Sequence, residues 1–209
     1  MRKTFLFIRI VFLLFISCNN SGTSPKDGQA AKSDGTILDL ATITKNIKDT
    51  VAFAKDVKEV YTLVKSIDEL AKAIGKKVEA AGTLGDDGGK NGSLISGAYS
   101  VVLFADTKLG QLEKKEGISA EFKAKVAASK AASKAFTDKV KGENASLGKN
   151  DASDDDTKKA IKKDNGDKTK GAEELIKLNT AIDALLTAAE AAVTAAINAL
   201  TTSTKPSNI

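Results

Sequence analysis

Between Pro25 and Pro206 the chain contains no proline. An interior proline removes a helical hydrogen bond and costs about 3 kcal/mol, so this interval permits helices of any length. The apolar spacing uses that freedom. Leu40, Ile43, Ile47, Val51, Ala54, Val57, Tyr61, Val64, Ile67, Ile74 and Val78 recur mostly at threes and fours, the period of one helical face. Lys45, Lys48, Asp49, Lys55, Asp56, Lys58 and Glu59 fill the opposite side. Thr36-Ile37-Leu38-Asp39 reads as a capping box opening this first long helix, and Gly75 or Gly82 is placed to end it. After it, the stretch 82–92, GTLGDDGGKNG, reads as a loop, with Lys76–Val78 and Thr83–Leu84 able to pair briefly as a small β-hairpin.

Further helices follow. One is expected from about Ser93 to Lys115, burying Leu94, Ile95, Ala98, Val101, Val102, Ala105 and Leu109. A third, capped by Ser119, carries Phe122, Val126, Ala132, Phe136 and Val140. Ser153-Asp154-Asp155-Asp156 opens a short helix through Lys163, with acids at its front and lysines at its end to complement the dipole. The last helix, about Gly171 to Thr201, has a near-heptad stripe of Leu175, Leu178, Ile182, Leu185, Ala189, Val193, Ala196 and Leu200. Its end is apolar enough to suggest membrane insertion, but Glu190 and Asn198 favour a packed helix. The expected fold is all-α: a helical bundle over 37–202 with long first and last helices, a small β-hairpin after the first, and a disordered tail over 203–209.

The N-terminus has a different grammar. Arg2, Lys3 and Arg9 flank a mostly apolar run from Phe5 to Ile16, too short to span a bilayer as an ordinary helix, and small Ser17 precedes the single cysteine, Cys18. This is the layout of a signal peptide over 1–17. A thiol at the first mature position is the acylation site of a bacterial lipoprotein. Phe15 stands where the strict lipobox prefers Leu, with Leu14 one residue further back, and an ordinary signal peptide with a chance cysteine is the alternative. Two or more acyl chains on Cys18 would anchor the chain lastingly, because each buried CH₂ contributes about 0.8 kcal/mol. Residues 18–36, rich in Gly, Ser, Asn, Asp and Lys, then read as a lipidated flexible tether.

Absences narrow the function. Beyond the signal the chain has no His, Arg, Trp or Met, and no thiol but Cys18. Acid–base, nucleophilic and anion-clamping sites usually draw on those groups, so no catalytic residue, cofactor or metal site is assigned and an enzyme is not expected. Removing Arg2, Lys3 and Arg9 from the 32 basic residues leaves 29 against 27 acids, a mature charge of +2. Scattered lysines with few aromatic rings do not suit nucleic acid. Gly85-Asp86-Asp87-Gly88-Gly89-Lys90-Asn91 imitates a phosphate loop, but its spacing is one residue short and Asn91 replaces the hydroxyl residue. The acids of DDDTKKAIKKDNGDKTKG do not follow the calcium-loop order. Asp68 and Glu69 are expected to pair with Lys65 or Lys72.

Taken in order, SCNNSG (17–22), VKEVYTLVKSIDELAKAIGKKV (57–78), SLISGAYSV (93–101), FTDKV (136–140) and KGAEELIKL (170–178) resemble the Borrelia surface lipoproteins. These are the variable small proteins of relapsing-fever spirochaetes and the related outer surface protein C. The resemblance implies a helical bundle with a hairpin after the first long helix, a homodimer through long-helix faces, and display on the cell outer membrane through a lipid anchor. It also implies antigenic variation, in which switching between alleles evades host antibodies. Cys18 is the only functional residue that carries across.

Two functions follow as expectations. One is an antigenic coat protein whose exposed segments, Thr83–Gly92, Gly142–Ala152 and Asp164–Lys170, vary around a constant core. The other is an adhesin gripping host glycosaminoglycan or an acidic plasma protein, with Lys76, Lys77, Lys90, Lys114, Lys115, Lys158, Lys159, Lys162 and Lys163 as its candidate contacts.

Overall fold

The computed structural model describes Asp27, residues 29–31 and residues 37–203. The expected signal peptide over 1–17, the lipid-bearing Cys18, most of the 18–36 tether and residues 204–209 of the expected tail lie outside the described residues. The chain order is β1 (Gln29–Ala31), β2 (Ile37–Asp39), α1 (Leu40–Ala71), β3 (Lys76–Val78), β4 (Leu84–Asp86), α2 (Gly92–Glu113), α3 (Ala120–Gly142), α4 (Asn144–Leu147), α5 (Asp154–Ile161) and α6 (Ala172–Ser203). The expected hairpin is present and antiparallel, with Lys77 opposite Gly85, but its second strand is Leu84–Asp86 rather than Thr83–Leu84.

The start of α1 differs from expectation. Ile37–Asp39 are extended rather than helical and pair antiparallel with Gln29–Ala31, Ala30 facing Leu38. Asp39, not Thr36, is the N-cap: its carboxylate accepts from Thr42 N at 3.0 Å and from Thr42 Oγ1 at 2.6 Å. Asp caps as well as Thr does, and moving the cap downstream leaves Ile37 and Leu38 available to the strand pair. The segment read as tether thus contains one strand.

Four helices close a ring in which α1 packs on α2, α2 on α3, α3 on α6 and α6 on α1. Long-range polar contacts give the directions. Glu59 meets Lys108 at 3.2 Å while Asp56 meets Lys115 at 2.8 Å, so α1 and α2 run antiparallel. Glu113–Lys130 and Asp106–Ser133 establish the same for α2 and α3. Lys65 meets Asp183 at 3.5 Å, while Asp68 and Asn179 share Lys163, which opposes α1 to α6. The core holds Val57, Val60, Val64 and Ile67 of α1, Leu109 of α2, Phe136 of α3 and Leu178, Ile182 and Leu185 of α6. By length and composition α6 is apolar enough to cross a membrane, and 17% of its apolar stretch is buried. Its Leu175, Leu178, Ile182, Leu185 and Ala189 pack in the core of this bundle.

Helix lengths explain where the expected stripes stop being buried. α1 and α6 have 32 residues each, about 48 Å, whereas α2 has 22 and α3 has 23, about 34 Å. Asp56 already reaches Lys115, past the end of α2. The start of α1 and the far end of α6 therefore run on as a bare helix pair. Leu40, Ile43 and Ile47 are only half-buried there, as are Val193 and Ala196, and Val51 and Ile197 are 46% and 44% exposed.

The buried face of α3 also departs from the apolar reading. It is Val126, Ser129, Ser133, Phe136, Thr137 and Val140, with Ala132 left half-buried. The hydroxyls are satisfied inside: Ser129 Oγ donates to Lys125 O at 3.0 Å and Ser133 Oγ to Asp106 Oδ1 at 2.6 Å. Phe122 packs its ring on Phe53 of α1, centroids 4.8 Å apart, and joins the lower end of α3 to the first helix.

Candidate functional surface

The segments expected to vary are not all free. Asn91 immediately precedes α2 and is buried, 2% exposed. Its Oδ1 accepts from Gly75 N at 2.8 Å, and its Nδ2 donates to Ala152 O at 3.0 Å and Asp154 Oδ1 at 2.8 Å. Gly89 N donates to the same Asp154 oxygen at 2.9 Å. Two side chains thus tie the end of α1, the glycine-rich loop and the start of α5 into one unit. The loop that imitates a phosphate cradle holds an anion, and the anion is Asp154. Gly75 is at φ +68, and a Cβ there would collide with the Asp154 carboxylate. The Gly89 amide, then the Asn91 amide, hold the Asp154 carboxyl below its ordinary range.

The second expected loop, Gly142–Ala152, contains α4, and its Leu147 and Ala152 are buried. Gly92 lies so close to the Lys149 carbonyl that a Cβ would overlap it. In the third segment, Asp167 accepts from the Thr169 hydroxyl at 2.7 Å and from Thr169 N at 3.0 Å. These two bonds, with help from Lys159, lower its pKa to about 2. Within these segments the exposed positions are Thr83, Leu84, Asp86, Gly88 and Lys90 on the hairpin side, Gly142, Asn144, Ala145, Gly148, Lys149, Asn150 and Asp151, and Asp164, Gly166, Asp167 and Thr169.

The candidate lysines are mostly engaged. Lys76 meets Asp86 at 2.5 Å, Lys77 meets Glu79 at 3.8 Å, Lys90 meets Asp87 at 3.1 Å and Lys115 meets Asp56 at 2.8 Å. Lys159 bridges Asp155 and Asp167 at 2.7 and 3.3 Å, and Lys162 meets Asp164 at 3.8 Å. Lys163 meets Asp68 at 2.8 Å, a long-range partner in place of the expected neighbours, while Glu69 does pair with Lys72 at 2.7 Å. Lys114 and Lys158 form no ion pair among the described residues. The structure brings Lys158, Lys162 and Lys163 around one cleft with Lys72, and places Lys76, Lys77 and Lys114 elsewhere. Among the described residues no group of three or more acidic, His or Cys side chains is placed to hold a metal ion.

The sequence reasoning missed a second feature, a groove of about 420 Å³ between α1 and α2, lined by Lys55, Lys58, Leu63, Phe104 and Lys108 among others. Phe104 is 51% exposed and Leu103 beside it 46%. The signal for it was present: helical spacing puts Phe104 off the Val101–Ala105–Leu109 stripe.

A family described as Lipoprotein matches residues 37–206 of this chain. Variable small protein 11 of Borrelia hermsii is 44% identical over 204 residues, covering 95% of this chain and 96% of its own. Outer surface protein C of Borreliella burgdorferi is 42% identical over 205 residues, covering 96% and 94%. The chain belongs to this family of lipoproteins. A solved structure, Variable Small Protein 1 of Borrelia turicatae, is 67% identical and superimposes with a TM-score of 0.75, covering 78% of this chain and 99% of that one. The helical bundle and its hairpin after the first helix are therefore the fold of the family.

Proposed function

We propose that the protein is an outer-membrane surface lipoprotein, anchored by fatty acylation of Cys18, that acts as a major surface antigen whose alleles are switched to evade host antibodies. The observation that carries this reading is the family match along nearly the whole chain, to proteins named as variable and as outer surface proteins. The fold supports it. A packed core fixes the scaffold, and a limited set of exposed positions is free to change at little cost. Protease shaving of intact cells should remove the protein, and palmitate labelling should be lost in Cys18→Ala. Shaving resistance, or equal labelling of the variant, would sink the reading.

Adhesion to host glycosaminoglycan or plasma protein is the second reading, and the convergence of Lys158, Lys162 and Lys163 favours it. Pairing of most other candidate lysines weakens it. A homodimer through long-helix faces, implied by the family resemblance, has the exposed Leu103 and Phe104 beside α1 as its candidate surface.

A further inference from the structure

Where the last turn of α1 meets α5, a cleft of about 450 Å³ opens, within the range of roughly 300–1,000 Å³ typical of small-ligand sites. Its rim carries Lys72, Lys158, Lys162 and Lys163 against Asp68 and Asp164, and Ile74 and Ile161 lie in its floor.

The four ammonium groups differ in what they are already doing. Lys163 is held by Asp68 and, at 3.4 Å, by Asn179 Oδ1. Lys72 pairs with Glu69 where both side chains are at least 70% exposed, a contact that solvent and a competing anion exchange easily. Lys162 reaches Asp164 only at 3.8 Å. Lys158 is half-buried and has no ion pair among the described residues; its charge is felt at Asp154, one turn back. Three cations are thus available around one recess, and one of them, Lys158, is half-buried with no ion pair among the described residues.

Both α1 and α5 end at this cleft, and lysines near helix C-termini complement the dipole. That accounts for a cation at each terminus. It does not account for four of them lining one recess together with the buried Ile74 and Ile161.

Resting on the adhesion reading of the same lysines, we propose that the cleft binds a sulfate or phosphate monoester. Its tetrahedral oxyanion is held by Lys158, Lys162 and Lys72, and the small body of the ester rests against Ile74 and Ile161. Lysines suit this chemistry as mobile point charges. A planar carboxylate would be better served by the arginine fork, which the chain beyond residue 9 lacks entirely.

The test is calorimetric titration of the full-length lipoprotein, in neutral detergent at low salt, with phenyl phosphate, phenyl sulfate, inorganic phosphate and a heparin-derived disaccharide. One saturable site is expected for the phenyl esters. Lys158→Gln should weaken it about fivefold to tenfold. Lys162→Gln, a separate variant in case the first misfolds, should weaken it in the same direction. Lys114→Gln removes an equally unpaired charge elsewhere and should change affinity less than about twofold. Inorganic phosphate binding as well as its ester would identify a free oxyanion as the ligand, and competition by the disaccharide would identify a sulfated saccharide. Equal effects of Lys158→Gln and Lys114→Gln, or no saturable binding of any probe, would overturn the proposal.

Discussion

Asn91 does more than its place before a helix suggests. As an N-cap it would bond its own helix, yet no side-chain capping bond forms. Its side-chain polar atoms bond Gly75, Ala152 and Asp154 instead, and only its backbone carbonyl, accepting from Ile95 N at 2.9 Å, serves the helix. Asn91→Ala therefore strands the buried Gly75 N–H and takes one donor each from Ala152 O and the Asp154 carboxylate, while the residue-91 backbone N–H still reaches Ala152 O at 3.2 Å. It should cost about 1–3 kcal/mol in urea unfolding. Lys90→Ala next to it should stay within about 0.5 kcal/mol. Asp154 adds a pH dependence of known sign. Its folded pKa lies below its unfolded one, so the ionised carboxylate stabilises the fold above about pH 4 and that contribution is lost as pH falls through the folded value. Unfolding midpoints measured from pH 7 down to 2 should show Asp154→Asn less stable at neutrality and converging on the parent in acid. Parallel curves would mean the carboxylate charge does nothing.

At the scale of elements, the sequence displayed the helices but not their partners. Ile47 and Ile67 both fall in the threes-and-fours apolar run of α1. Although 20 residues at about 100° each turn them to different sides of the helix, that run alone does not separate them. The structure does: Ile67 is fully buried and Ile47 is half-buried in the bare helix pair. Ile67→Ala should cost about 3–4 kcal/mol and Ile47→Ala about 1 kcal/mol. Amides of residues 40–52 should also exchange with solvent sooner than those of 57–70. Similar costs would show that the protruding pair is packed by something else. The serine face of α3 was illegible for a related reason. Ser129 and Ser133 look polar to any hydrophobic count, and only the carbonyl of Lys125 and the carboxylate of Asp106 make their burial tolerable. The strand pair β1–β2 was hidden because Thr36 and Asp39 are both good caps and only pairing with Gln29–Ala31 distinguishes them. The clamp on Asp154 depends on residues more than 60 positions apart, so GDDGGKNG could be read only as a loop. Cys18 is the reverse case: its role rests on sequence grammar, and it lies outside the described residues.

For the whole molecule, the α1–α2 groove raises the matter of what covers Phe104. Two copies meeting there about a twofold axis would bury Phe104 and Leu103 of both, and Val51 stands one turn before Lys55 on the same helix. Apolar burial at roughly 25 cal/mol per Å² favours such a contact. Charge opposes it. Lys108 is balanced by Glu59, but Lys55 and Lys58 form no ion pair among the described residues, and an isologous interface brings each patch against its own likeness. Added salt screens that repulsion while leaving the apolar term intact or stronger. Sedimentation equilibrium should therefore show the dimer tightening between low and physiological salt. A lysine patch gripping an anionic partner would behave oppositely. Phe104→Glu should weaken the dimer by at least about tenfold, because it replaces the central apolar contact with a charge that must be desolvated. Salt-weakened association, or a Phe104→Glu protein that dimerises as the parent does, would move the interface to another face of the bundle.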